Sequence, residues 1–408
     1  MSPNLCASPL NAPTATGPGG ASERRAFLKT MCYGGLATFT APLVRFAHLP
    51  CSERLVFVLL RGGFDGLAAV VPVGDPSYRA VRGAMAFEAS ALTPLSDGFA
   101  LAPGLAPLAE CWQADELVAL HALAIPYRTR SHFDGQAVLE TGLADTSGSA
   151  DGWLNRLLQV MDGRPSGIAV AAGMPLSLSG PHPVATWSPA RLGTVDDAWL
   201  DHLHLLYRSD RVLQNPFEAA LQQRETTEGM EAGMGRGGGR RIAPVFEAAA
   251  RLLRAPEGPN VAALEFGGWD THANQGMADG PLDRLLGQLA QGLMAFRRAM
   301  GDDWPGTTVV VMTEFGRTAR PNGTRGTDHG TAGAGFLLGT SLARSALVSD
   351  WPGLAEGELY ERRDLRPTMD TRAVLKGVVQ GVFDLTAAQA DRVFPGSEGV
   401  RGLVDMMG

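Results

Sequence analysis

The sequence predicts an α/β fold, with a mostly parallel central sheet and helices on both of its faces. Three observations predict it. Apolar runs of strand length recur without polar alternation, as in Arg54-Leu55-Val56-Phe57-Val58-Leu59-Leu60, which marks strands buried on both faces. A long amphipathic helical repeat separates two such runs, as a strand-helix-strand crossover requires. Each run gives way to a polar or glycine-rich loop, the junction at which open α/β sheets bind ligands.

Residues 1–50 read as an address ahead of that fold. Glu23-Arg24-Arg25-Ala26-Phe27-Leu28-Lys29 precedes a mildly apolar run, Met31 to Val44, the pattern of bacterial twin-arginine export. The expected partner is the twin-arginine export machinery, and the expected location is the periplasm or the exterior. The apolar run is too short and too rich in Gly, Thr and Pro to span a bilayer stably, and no other segment reads as transmembrane. Cys6 and Cys32 fall in this leader, so only Cys51 and Cys111 remain, too few for a disulfide framework. Residues 51–408 are then expected to form a single domain.

Within that domain, the run Arg54 to Leu60 is expected as a central strand ending at Gly62-Gly63. A second run, Leu117 to Leu123, stops before Pro126, and Ser131-His132-Phe133-Asp134 then has capping-box spacing, opening a helix through about Glu140. Three more runs, Gly167 to Ala171, Val261 to Phe266 and Thr308 to Met312, repeat the theme. Between the last two, Leu285, Leu286, Leu289, Leu293 and Phe296 fall at helical spacing within Leu282 to Met300. Asp196 to Gln223 reads as helical and leads into Glu225 to Arg241, a glycine- and arginine-rich stretch expected to be a flexible loop near 225–241. Asp370 to Phe383 and Ala387 to Phe394 are expected as closing helices.

With 45% hydrophobic and 19% charged residues, the chain can bury a full core. Its formal net charge of −7 argues against a nucleic-acid partner held by phosphate contacts, because that mode needs a concentrated basic face.

The chemistry-bearing residues gather in loops after predicted strands. Asp65 lies in Arg61-Gly62-Gly63-Phe64-Asp65-Gly66, Asp270 and His272 in Gly268-Trp269-Asp270-Thr271-His272, and Glu314 in Thr313-Glu314-Phe315-Gly316-Arg317. Asp328 and His329 lie in Gly326-Thr327-Asp328-His329-Gly330. Singly, each reads equally as a turn residue or a solvated carboxylate. Jointly they supply oxygen and imidazole donors on one edge, which suits a divalent Zn, Mn, Mg or Ca ion better than a soft metal. Ser131 reads either as a helix cap or as a hydroxyl nucleophile at a helix amino terminus. His132 reads as a ligand or an acid/base, and Arg61, Arg130 and Arg317 as clamps for substrate oxygens.

The order of the paired arginines, Leu-Arg-Gly-Gly-Phe-Asp-Gly-Leu, Arg-Ser-His-Phe-Asp, Gly-Trp-Leu-Asn-Arg, Gly-Gly-Trp-Asp-Thr-His, Thr-Glu-Phe-Gly-Arg and Gly-Thr-Asp-His-Gly resembles domain of unknown function 1501. That bacterial family in turn resembles the alkaline-phosphatase and sulfatase superfamily. The resemblance implies an alkaline-phosphatase-like fold with one or two metals at strand ends and a hydroxyl nucleophile acting on phosphate or sulfate esters. Asp65 and Ser131 follow the order of the early acid and nucleophile, Asp270 and His272 that of a shared metal pair, and Glu314 with Asp328-His329 that of the last ligands. The Cys/Ser-x-Pro-x-Arg motif of formylglycine sulfatases is absent, since Trp187-Ser188-Pro189-Ala190-Arg191 puts serine one place too late.

Two functions are therefore expected to compete. One is an exported metal-dependent hydrolase of anionic esters, with Ser131 and His132 catalytic, Arg61, Arg130 and Arg317 on the substrate, and Asp65, Asp270, His272, Glu314, Asp328 and His329 on metal. The other is a non-catalytic envelope binding or assembly protein that keeps the fold.

Overall fold

The computed structural model describes residues 53–407, apart from 147–150, 162–164, 172, 257 and all but four positions of 189–241. The twin-arginine leader and the glycine-rich loop lie outside the described residues, as does the helix expected over Asp196 to Gln223 except for Leu203, His204, Tyr207 and Gln214, which are helical.

The main sheet has nine strands: β1 (Arg54–Arg61), β2 (Leu117–Ala124), β3 (Gly167–Val170), β4 (Ala185–Trp187), β5 (Val261–Gly267), β6 (Thr307–Met312), β7 (Gly333–Leu338), β8 (Ala346–Val348) and β9 (Met369–Asp370). Their order is β8-β2-β7-β6-β1-β5-β3-β4, with β9 also pairing β2. Among the described residues only β7 of this sheet runs antiparallel, against both β2 and β6, so the sheet is mostly parallel as the apolar runs predict.

The central strand shows why such a run has no polar alternation. Val56, Val58 and Leu60 of β1 pack into one core with Phe246 of helix α3 (Ile242–Arg254) and with Leu286, Leu289 and Phe296 of α4 (Pro281–Met300). Leu55, Phe57 and Leu59 point the other way, into a second core. There they meet α2 (Trp153–Val160), α5 (Thr371–Phe383) and α6 (Ala387–Val393) through Trp153, Leu157, Val378 and Val393. Each face is covered by helices, so both residue parities must be apolar.

The register aligns the carboxyl ends of the central strands. Arg61 pairs with Gly267, and Leu59 with Met312. The loops after β1, β5 and β6 therefore leave from one edge, and β2, parallel to them, delivers its own loop and helix α1 (His132–Thr141) to the same edge. Among the described residues, no helix is long and apolar enough to cross a membrane.

Candidate metal centre

Loop β5–α4 is pinned by Trp269, which is fully buried and meets Phe64 edge-on at 5.3 Å. With the indole anchored below, the next residues turn tightly, His272 N–H donating to the Asp270 carbonyl at 3.2 Å, and Asp270 and His272 are left half-exposed at the surface. The close approach also explains Gly62, whose φ is +128° and whose absent Cβ would lie 2.6 Å from the Asp270 nitrogen.

His329 is held by a return of the chain over the β6 loop. Thr318 N–H donates to Asp328 O at 2.9 Å and Gly330 N–H to Gly316 O at 2.9 Å, which sets His329 opposite Arg317. His132, the first residue of α1, approaches from the other side. The Phe315 ring packs against both imidazoles, with centroids 4.9 Å from His132 and 5.2 Å from His329.

Four side chains from two loops and a helix then come together. His132 Nε2 lies 2.9 Å from His329 Nε2, and His272 Nε2 lies 3.0 Å from His329 Nε2. Asp270 Oδ1 is 2.9 Å from His272 Nε2 and 3.2 Å from His329 Nε2, while its Oδ2 is 3.5 Å from His132 Nε2. The opposite nitrogen of every ring is committed elsewhere. His132 Nδ1 donates to Glu314 Oε1 at 2.7 Å, His272 Nδ1 to Asp328 Oδ1 at 3.2 Å, and His329 Nδ1 to the Arg130 carbonyl at 3.0 Å. Carboxylate and carbonyl oxygens only accept, so each Nδ1 carries the hydrogen and each neutral Nε2 presents a lone pair.

The ligand atoms of His132, Asp270 and His329 all lie within 4.8 Å of one another, and His272 meets this group through Asp270 and His329. Two imidazole lone pairs and a carboxylate this close repel one another unless a positive charge lies between them, and nitrogen ligands at about 2.0–2.1 Å from a metal stand roughly 3.3 Å apart in a tetrahedron. Outer acceptors on each Nδ1 are also the usual support of metal-bound imidazoles. The residues present therefore fit a metal ion.

The hydrogen bond to Glu314 raises the His132 pKa from its ordinary value, against its burial, so a cation would have to displace a proton there, whereas burial and the neighbouring His132 push His329 down. Burial would raise Asp270 and Glu314, but Arg317 holds Asp270 low, and hydrogen bonds from His132 and Gln136 hold Glu314 low. Asp328 is lowered chiefly by Asn322.

The other predicted site residues occupy outer positions. Glu314 is fully buried and meets four donors, His132, Gln136 Nε2 (2.9 Å), Gly62 N–H (2.9 Å) and the Thr313 hydroxyl (2.9 Å). Asp65, 1% exposed, is closed in an ion pair with Arg82 at 2.6 Å and also accepts from Gln275, so it is not among the converging donors. Arg317 is buried and donates to Asp270 Oδ1 at 2.6 Å and to the Thr327 hydroxyl at 3.2 Å. Arg61 pairs with Glu140 and Glu265, and Arg130 with Asp364 and Glu361. Ser131 caps α1, its oxygen accepting from Asp134 N–H at 3.5 Å.

Sequence reasoning left out Gln136, Gln275, Arg82 and Asp364. Gln136 had a signal, since it follows His132 by four residues on α1 and shares its face. Nothing local marks the others, which reach their partners across long sequence separations.

Fold and site together define an α/β protein carrying a histidine-carboxylate cluster at the carboxyl ends of its parallel strands. Within that class the chain belongs to the protein of unknown function family (DUF1501), whose model matches residues 107–394. No curated protein matches it. Solved structures similar to it include the C-terminal periplasmic domain of EcEptC from Escherichia coli, in complex with Zn, at 12% identity and TM-score 0.35, covering 72% of this chain and 74% of that one. Another is the PsFucS1 sulfatase from Pseudoalteromonas sp., at 11% identity and TM-score 0.32, covering 81% and 68%. A third is the phosphonate monoester hydrolase of Agrobacterium radiobacter, at 11% identity and TM-score 0.35, covering 72% and 70%.

Proposed function

We propose that this protein is an exported, metal-dependent hydrolase of phosphate or sulfate esters. The cluster of His132, Asp270 and His329, with His272 beside it and every Nδ1 anchored behind, carries the proposal. His132, Asp270 and His329 would hold the ion, and a donor set of two imidazoles and one carboxylate suits zinc or manganese better than the all-oxygen preference of magnesium or calcium. The Asp270, His272 and His329 side chains are 42%, 44% and 27% exposed, the openness a reacting centre needs and a structural ion does not. When bound, the cation supplies Lewis-acid stabilisation of ester oxygens that gain charge during attack.

The chain's own residues do the rest. Glu314, Asp328 and the Arg130 carbonyl fix the ring orientations, and Arg317 fixes Asp270. Ser131 is the attacking group in this reading. It adjoins His132 and sits at the amino end of α1, where the helix field favours an alkoxide. Its long cap contact with Asp134 N–H binds that oxygen only weakly.

Elemental analysis of protein purified without chelator, followed by assays with aryl phosphate and aryl sulfate, tests the proposal. About one equivalent of metal and chelator-sensitive turnover are expected. Metal-free, inactive protein sinks it. Ser131→Ala should keep the metal and lose turnover; retained turnover would pass the attack to water.

One observation favours the alternative, a non-catalytic envelope protein. Arg61, Arg130 and Arg317 are each closed by carboxylates, so none of the three is held open for an anionic ester. Metal binding without turnover of any ester would select that reading. Residues 1–50 would direct the protein through the twin-arginine machinery in either case, which a twin-lysine substitution at Arg24 and Arg25 with periplasmic fractionation would test.

A further inference from the structure

Arg130 combines two features that its expected role as a substrate clamp does not explain. Its backbone lies in the left-handed region, φ +64°, a conformation that a branched-chain or long side chain adopts only under constraint. Its carbonyl oxygen, as a result, faces the ring of His329 and accepts from Nδ1 at 3.0 Å. An observed backbone outlier beside a reactive centre is where strain is used to place a group.

The constraint is visible. The Arg130 guanidinium donates through Nε to Asp364 Oδ2 at 2.9 Å and through Nη2 to Glu361 Oε2 at 2.6 Å. Asp364 is fully buried and is itself tied down by backbone pairing with Thr318 and Tyr360. Glu361 and Arg362 also have left-handed backbones, at φ +53° each, so the clamp is a tightly wound loop and not a passing surface contact. The same β6 loop that Asp364 pairs with carries Arg317, which faces His329 across an isolated bridge.

We infer that Arg130 is a positioning residue for the centre: the 359–365 loop grips its guanidinium, the grip holds the backbone left-handed, and the left-handed backbone aims the carbonyl that fixes His329. This rests on the proposed metal reading. Without the carbonyl, the His329 ring is free to rotate, and Nε2 no longer points at the other donors. Outer-sphere partners of this kind commonly change metal affinity by about 10–100-fold.

Two variants separate backbone from side chain. Arg130→Ala and Arg130→Gly both delete the guanidinium and leave Glu361 and Asp364, the latter still paired with Arg363, in the same state, so they share whatever the lost ion pairs contribute. They differ at φ +64°, which glycine adopts freely and alanine does not. Zinc affinity is measured by competition with a chromophoric chelator, and the ligand field by the visible spectrum of the cobalt-substituted protein. Arg130→Ala should bind about 10-fold more weakly with an altered cobalt spectrum, whereas Arg130→Gly should stay within about 3-fold of the parent with the parent spectrum. Equal affinities and spectra in all three proteins would overturn the inference, and so would an equal loss in both variants, which would assign the effect to the guanidinium alone. A parent protein that binds no zinc would instead defeat the metal reading beneath it.

Discussion

Asp65 and Asp270 leave the same sheet edge, each in a glycine-rich loop after a central parallel strand, and they end in opposite circumstances. Asp65 is 1% exposed and bound to a guanidinium that is equally buried. Asp270 is 42% exposed and faces three imidazoles, with a guanidinium on one oxygen only. A buried carboxylate so closed has its charge spent, whereas an open one surrounded by lone pairs still requires a cation. Location at a strand end selects where a site can form, and the partner brought in from elsewhere decides which carboxylate is free to serve it.

The largest expected effect breaks the closed pair. Arg82→Met leaves Asp65 charged and buried without its partner, at a cost of about 3–5 kcal/mol in chemical denaturation, and the double variant Asp65→Asn/Arg82→Met recovers much of it. Metal content should not change in either. A second equivalent of metal in Arg82→Met would show that Asp65 is a ligand held in check, and the contrast between the two aspartates would collapse.

The next effect is a pH response of the closed region. His121 is fully buried, its Nε2 donating to the Val70 carbonyl at 3.0 Å and its Nδ1 accepting from Ala122 N–H at 2.8 Å, so the neutral ring satisfies both partners. Burial pushes its pKa down to about 4. The folded state therefore refuses a proton that the unfolded chain takes up below about 6.5. Stability is full above that pH and falls as the pH drops from about 6.5 towards 4, by up to roughly 3 kcal/mol. Denaturation midpoints measured across that window should fall more steeply for the parent than for His121→Gln. Parallel slopes would show that the ring titrates freely.

The fold was largely legible because burial on both faces of β1, β5 and β6 forces uninterrupted apolar runs, and β7 differs only in direction, which side-chain pattern does not encode. The strand-end motifs contain Asp270, His272 and His329, three of the four clustered side chains. What the motifs did not separate is inner from outer contact. Glu314 and Asp328 carry the same chemistry as Asp270, and only the placement of His132 and His272 against them turns them into acceptors for Nδ1. His132 read equally as ligand or acid/base, because its neighbours in space, Glu314 and His329, lie far along the chain.

Those two outer carboxylates allow the contrast between closed and open to be tested within the centre itself. Glu314 is shut off from solvent, so Glu314→Gln removes the carboxylate charge behind His132 Nδ1 with nothing to replace it. Metal affinity should drop by about 10–100-fold, read by chelator competition.

Asp328 performs the same task for His272 at 3.2 Å, but its side chain is 49% exposed and shares its oxygen with Asn322. In Asp328→Asn the new amide can turn its oxygen towards Nδ1, and solvent can serve the ring where it does not, so the loss should stay below about 10-fold. If burial sets the worth of an outer acceptor, the two variants must fall in that order. Equal losses, or a larger one for Asp328→Asn, would mean that the open side of the centre is shielded by something other than the described residues, and that His272 depends on its carboxylate as strictly as His132 does.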